Sequence, residues 1–433
     1  MAETAPERLL HSGRTVVEWT LFCFLVFLPL NATLLQMPAV SLGKMGFTAL
    51  LLLVLALECA HGLPSRLPRS LPGPGLLGAL VAYCTVVGLS TVANGHPVAD
   101  LLQYLVMPMG VLALYCCEQR TPGSFFHAVF LASATHLCIA VVLDNREVGT
   151  AGVARLTGGS HPITLGLEAA LVGLFFLAQV LARRGWPNLV LLVLCLYVMV
   201  ESLSKTAILG SLVAVGLQFV FFNRRHLLER AMVTISLAVV GAALLLQSLL
   251  EHLLGTTSTD SLVNGTGRTT IWATILAHLG DYAAYGYGYP PLHEPGLRDD
   301  ELLRLTGGLP SENAFLAALL MGGLLAGLLY VVIFVSACRA AVRVTAATHG
   351  YSLAAVVVLF TSALFNESAS GLNYLWFWLL ALFSLTNAAR RRAPRRARRG
   401  RQRVVRRPAA PPAATIPSHP AARRALTRGP RWN

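Results

Sequence analysis

Apolar runs of about 18–25 residues recur along the chain, near 16–37, 44–62, 75–94, 99–117, 124–143, 162–182, 187–203, 205–222, 231–253, 313–337, 351–366 and 371–388. A bilayer core is crossed by roughly 20 apolar residues in a helix. The pattern therefore predicts an all-α, polytopic membrane protein of about twelve transmembrane helices. One polar interruption, 254–312, is far longer than the rest and ends where the tenth run begins. Water-facing chemistry has to gather between the spans, and this interruption is the stretch long enough to build it.

Composition agrees with the pattern. A mean hydropathy of +0.63, with 55% hydrophobic and 12% charged residues, lies outside the soluble globular range. The formal charge of +14 suggests nucleic acid until it is located. Residues 390–433 carry 15 arginines and no acid, which leaves the body close to neutral. That Arg/Pro/Ala-rich stretch has no apolar period and cannot bury enough surface to offset its ordering entropy. The expected organisation is a membrane domain over 1–388 and a disordered cytoplasmic tail over 389–433 that rests on anionic lipid rather than on nucleic acid. The eight cysteines fall in or beside apolar runs and read as small packing residues. Val17–Met37 continues past signal-peptide length and reads as the first span.

Orientation follows from the short loops, because cationic loops stay cytoplasmic. Arg66 and Arg69, Arg120, Arg183 and Arg184, Arg224, Arg225 and Arg230, and Arg339 and Arg343 fall on alternate loops. Both termini are then cytoplasmic, and 144–161, 203–205, 254–312 and 367–370 face outward, which in a bacterial inner membrane is the periplasmic side.

Four polar stretches punctuate that outer side: Arg155 to Pro162, Ser202 to Thr206, Gly267 to Trp272 followed by the flexible, aromatic Tyr285-Gly286-Tyr287-Gly288-Tyr289-Pro290, and Pro310 to Leu316. Arg155, Lys205 and Arg268 would bring three cations to one membrane face, which suits a lipid-linked diphosphate. A carboxylate beside them, Glu312, could take the proton of an attacking hydroxyl. Plainer roles compete. Arg155 could snorkel, Lys205 could anchor the interface, Arg268 could stack on Trp272 one turn away, and Glu312 could offset the dipole of the tenth helix behind an N-cap Ser311. Gly323 and Gly327 form a helix-packing G-x-x-x-G. His161, His278 and His293 are spare bases, and Asp299-Asp300-Glu301 reads as a solvated loop face rather than a cation site.

Taken in order, Arg155-Leu156-Thr157-Gly158 with His161-Pro162, Ser202-Leu203-Ser204-Lys205, Gly267-Arg268 with Trp272, Gly286-Tyr287-Gly288, and Glu312-Asn313 followed by Leu316, Leu319 and Gly323 resemble the O-antigen ligase and polysaccharide polymerase family of bacterial membrane glycosyltransferases. Where the family's ligases carry Arg in a Ser-x-Ser-Arg pattern this chain has Lys205, and where they carry His before Asn it has Glu312. The resemblance implies a glycosyltransferase of the C type, inverting, with no metal, cofactor or nucleotide sugar. It implies an undecaprenyl-diphosphate-linked glycan as donor and a hydroxyl of lipid A–core or of a growing glycan as acceptor. On that reading Lys205, Arg268 and Glu312 are catalytic, and Arg155, His161, Trp272, Tyr287 and Asn313 bind substrate. The competing class is a transporter such as a glycolipid flippase. Few charges lie deep in the spans and the two halves show no matching broken helices, which favours the enzyme. Cysteine labelling at Thr259 and Ala414 is expected to report opposite compartments; labelling from the same side would contradict the assigned orientation.

Overall fold

The computed structural model describes residues 16–30, 35, 37–60, 74–96, 101, 104–148, 154–182, 185–222, 268–289, 313–365 and 376–389. The expected ninth span, 231–253, lies outside them, as do Glu312, His293, Asp299-Asp300-Glu301 and the whole of the separate unit 391–433. Each of the other expected spans overlaps a helix, although the first helix ends at Phe27 rather than Met37. The helices are α1 (Val16–Phe27), α2 (Pro38–Ala60), α3 (Pro74–Ala93), α4 (Val106–Arg120), α5 (Ser124–Leu143), α6 (Pro162–Leu181), α7 (Pro187–Glu201), α8 (Lys205–Phe222), α11 (Ala314–Val344), α12 (Tyr351–Phe365) and α13 (Trp376–Ala389). Among the described residues five helices are long and apolar enough to cross a membrane. A β-hairpin, β1 (Arg146–Val148) and β2 (Ala154–Leu156), joins α5 to α6, and two short helices, α9 (Arg268–Ala277) and α10 (Leu279–Tyr282), stand in the long interruption. The protein is a helical membrane bundle, as the apolar pattern predicts.

The last helix forms part of the core. Trp376, Phe377, Trp378, Leu380, Ala381 and Phe383 are all fully buried, the pattern of a helix apolar on every side and enclosed by others. Its indoles are not left unpaired: Trp376 Nε1 donates to the Met107 carbonyl at 3.2 Å and Trp378 Nε1 to Ser133 Oγ at 3.1 Å. At its far end the buried Glu118 carboxylate accepts from Gly123 N at 3.0 Å, from Asn387 Nδ2 at 2.6 Å and from Ser384 Oγ, tying α4 and the α4–α5 turn to α13. An unpaired buried carboxylate would be costly, and these donors offset that cost.

The tenth apolar run departs from expectation. A straight helix would separate Phe315 from Phe334 by about 28 Å at 1.5 Å per residue, yet their rings stand 5.7 Å apart, and Phe315 also meets Tyr330 at 5.2 Å. The cause is Gly322-Gly323, where the backbone leaves helical geometry (φ −142°, ψ 23° and φ 69°, ψ −164°). The chain reverses there. Residues 314–321 fold back along 324–344 as the first arm of a helical hairpin, with Leu319 against Gly327. The stretch long enough to span is the second arm, so a single tenth span over 313–337 is corrected to a hairpin. Gly323 occupies a conformation in which a side chain is strained, and the G-x-x-x-G spacing serves this turn and its close packing.

Reversal strands backbone groups, and buried ones, such as those of Leu320, Met321, Gly322 and Gly323, are costly to leave unpaired. The segment after α10 supplies their partners. Tyr287 N donates to the Leu320 carbonyl at 2.6 Å, Gly288 N to the Met321 carbonyl at 3.0 Å, and Leu324 N to the Ala283 carbonyl at 2.9 Å. The end of α3 holds the other side: Tyr289 N donates to Thr91 Oγ1 at 2.9 Å, Asn94 Nδ2 to the Gly286 carbonyl at 3.2 Å, and His96 Nε2 lies 2.7 Å from the Tyr287 carbonyl. Gly286 and Gly288, read in sequence as flexible, are pinned at φ 71° and 88°. A Cβ on Gly286 would come within 2.5 Å of Gly322 N. Gly286→Ala is expected to destabilise the protein by about 1–3 kcal/mol, read as a lower thermal midpoint in detergent, whereas the same change at Gly280, which has open space around it, should leave the midpoint nearly unchanged.

Candidate functional site

The four polar stretches converge on one end of the bundle. Gly210 of α8 packs on Val358 and Thr361 of α12, and Gly350, just before α12, packs on Gln218 of α8, so the two helices run antiparallel. Five residues separate Gly210 from Lys205 and four separate Thr361 from Phe365, about 7 and 6 Å of rise. Lys205 and Phe365 therefore share a level. Asn313 joins it, donating from Nδ2 to the Leu364 carbonyl at 3.1 Å, and so does Trp272, whose ring lies 6.4 Å from that of Phe365. The α11 hairpin tip stands about 10 Å further out by the same rise, so these residues form a floor beside a wall.

Each side chain is set by its local backbone. Ser204 caps α8, its Oγ accepting from Ala207 N at 3.4 Å, while Ser202 Oγ donates to the Met199 carbonyl at 2.8 Å. Both serines are buried, and Lys205, the first residue of α8, is exposed. A cation there opposes the helix dipole, at a cost of about 0.3–1 kcal/mol. Helix stability cannot be the reason for it, whereas an anion would be attracted by the ammonium and by the helix N-terminus together. Among the described residues no carboxylate pairs with Lys205.

The hairpin brings Arg155 toward the same turn. Arg146 on β1 bonds Asp144 Oδ1 and, at 2.9 Å, Glu201 Oε2 at the end of α7, and β2 packs on α7. The Asp144 hydrogen bond and charge push the Arg146 guanidinium above its ordinary value. Arg146 is thus engaged as a strut. Arg155, opposite Glu147 in the register, is half-buried, and its buried Nε has no partner among the described residues. His161 is exposed and caps α6, its Nδ1 accepting from Ile163 N at 3.4 Å. His278 is half-buried at the N-cap of α10.

Asn313 is the N-cap of α11: its buried Oδ1 accepts from Phe315 N at 2.9 Å and Leu316 N at 3.1 Å. Sequence reading gave that cap to Ser311 and a dipole role to Glu312. With Asn313 in the capping position, Glu312 precedes the helix, and the capping explanation for it weakens. Trp272 and Tyr287 belong to a small apolar cluster with Ile271, Ile275, Tyr282 and Leu320 that seats α9 on the first arm. Arg268 is the first residue of α9, one turn from Trp272. Sequence reasoning missed the clamp formed by Thr91, Asn94 and His96, and the buried pair of His136 and Glu168; no short motif signals either.

Among the described residues no group of three His, Cys, Asp or Glu gathers as metal ligands. An apolar cleft of about 910 Å³ lies apart from the floor, between α3 and α4, and is lined by residues such as Val81, Leu89 and Pro108 without a charge. It offers no phosphate ligand. No curated protein matches the chain. Residues 189–331, roughly a third of the chain, match the family model described as O-Antigen ligase. The stretch carrying Lys205, Arg268, Trp272, Tyr287 and Asn313 is thus similar to an O-antigen ligase domain, and together with the apolar helices the match supports a multi-pass membrane protein of the glycosyltransferase type used in surface polysaccharide biosynthesis.

Proposed function

We propose that this protein transfers a glycan from undecaprenyl diphosphate to an acceptor hydroxyl, of lipid A–core or of a growing glycan, at the outer face of the bacterial inner membrane, with both termini cytoplasmic. The observation that carries this reading is the convergence, on one floor, of an exposed lysine at a helix start, a half-buried arginine with an unpaired Nε, and the N-cap preceded by Glu312. Lys205 and Arg268 neutralise the departing diphosphate and Arg155 assists, since charge that develops on a leaving group is best met by donors already in place. Glu312 takes the acceptor's proton as its oxygen attacks the anomeric carbon from the face opposite the diphosphate, and the C–O bond to the diphosphate breaks with inversion. Trp272 and Tyr287 hold aromatic surface beside the sugars. On this reading the cations serve the diphosphate in place of a metal, and no nucleotide sugar enters because the lipid-linked donor carries its own diphosphate leaving group.

The expected outcomes are graded. Arg268→Ala should lose transfer by about 10²-fold or more, whereas Lys205→Arg, which restores the bidentate fork, should keep or improve it. The measurement is transfer from a purified lipid-linked donor at matched protein levels. Near-normal transfer by the Lys205→Ala, Arg268→Ala double variant would refute the assignment.

A further inference from the structure

His136 of α5 and Glu168 of α6 face each other inside the bundle, Nδ1 to Oε2 at 2.6 Å, with both side chains fully buried. His136 Nε2 and Glu168 Oε1 are buried without a partner. Ionisable groups within membrane spans are expensive, and a buried pair replaced by apolar side chains of similar volume usually leaves a protein as stable or more so. A half-satisfied pair is a still poorer source of stability. Stability therefore does not explain its presence. What a directional polar pair does supply is register, because only one axial offset lets the two groups meet.

Its position shows what that register controls. His136 is one turn from Ala140, against which Gly158 packs so closely that a Cβ there would collide. The turn that Thr157 begins is also tied to the chain just beyond α5, since Thr157 N and Gly158 N both donate to the Asn145 carbonyl, at 2.8 and 3.3 Å. That turn begins two residues after Arg155. On the other helix, Glu168 is two residues from Gly166, where a Cβ would stand 2.6 Å from Ser202 Oγ and from Ser204 Cβ. Ser204 directly precedes Lys205. The α5 side of the seam between α5 and α6 thus indexes Arg155 and the α6 side indexes Lys205.

We propose that His136 and Glu168 are positioning residues whose pairing fixes the α5–α6 register and so the separation of Arg155 from Lys205. This rests on the reading of those cations as diphosphate ligands. Neither side chain touches substrate, and both act through the turns they hold.

The test uses the full chain in detergent or nanodiscs and two variants. His136→Phe with Glu168→Leu removes the directional pair while filling its volume, and Glu168→Gln keeps a hydrogen bond to the imidazole. The first readout needs no reaction: the distance between spin labels placed at positions 155 and 205 in a cysteine-free background. The second is transfer from the lipid-linked donor by unlabelled protein. The Phe/Leu variant is expected to keep its thermal midpoint, to shift or broaden the label distance, and to lose about ten- to a hundredfold in transfer, the scale of a small misplacement of binding groups. Glu168→Gln should restore the distance and stay within about threefold of wild type, much smaller than that loss. An unchanged distance in the Phe/Leu variant overturns the proposal, and so does its failure to fold while the Gln variant folds, which would make the pair a stability element. A shifted distance with wild-type transfer would instead break the link to the diphosphate, and with it the reading on which the proposal rests.

Discussion

A buried peptide group has no water to pair with, so a chain that interrupts a helix inside a packed core has to bring its own donors and acceptors. The arrangement at the site end depends on how this chain meets that condition. Gly322-Gly323 turns α11 back on itself, and the carbonyls of Leu320 and Met321 and the amide of Leu324 are taken up by residues 283–288. The inserted segment is in turn clamped by Thr91, Asn94 and His96. Without the reversal, Asn313 would stand at the far end of a long straight helix; with it, Asn313 is set down beside the end of α12, and Trp272 is brought onto Phe365. One broken helix therefore carries both the wall and part of the floor.

Electrostatics on that floor is unusual for a stable helix terminus. Basic side chains ordinarily favour helix C-termini and acids N-termini, yet α8 opens on its exposed lysine, and Lys205 is one of only two lysines in the chain against 32 arginines. The neighbouring Arg146 shows how this protein treats a cation that it uses structurally: it is bonded to Asp144 and Glu201. Arg155 and Lys205 are handled differently, each without a carboxylate among the described residues. On the proposed reading, that contrast separates the diphosphate's ligands from a strut.

Much of the architecture was legible as apolar periodicity, because a helix in lipid is recognised by length and composition alone. Span boundaries over α5, α6 and α7 fall within a residue or two of the helices. The α11 hairpin was not legible, since an apolar run reads the same whether it crosses once or doubles back, and two glycines within it signal packing as readily as reversal. Gly286 and Gly288 were misread for a related reason: sequence shows that glycine permits unusual backbone, but close approach from Gly322 and Thr91 requires it. The order of the polar motifs resembles the ligase family, in line with the match over 189–331, whereas the Asn313 cap and the His136–Glu168 pair depend on contacts between distant parts of the chain.

The central claim is that the residue before the α11 cap removes the acceptor's proton. Glu312→Gln keeps shape and hydrogen bonding but cannot take a proton, so the most direct measurement is single-turnover transfer by this variant from a purified lipid-linked donor, beside its thermal midpoint. The account predicts a folded protein slowed by about 10²–10⁴-fold, the usual contribution of a general base, with partial activity returning in Glu312→His. A Gln variant that transfers at the wild-type rate would contradict it and move the base elsewhere.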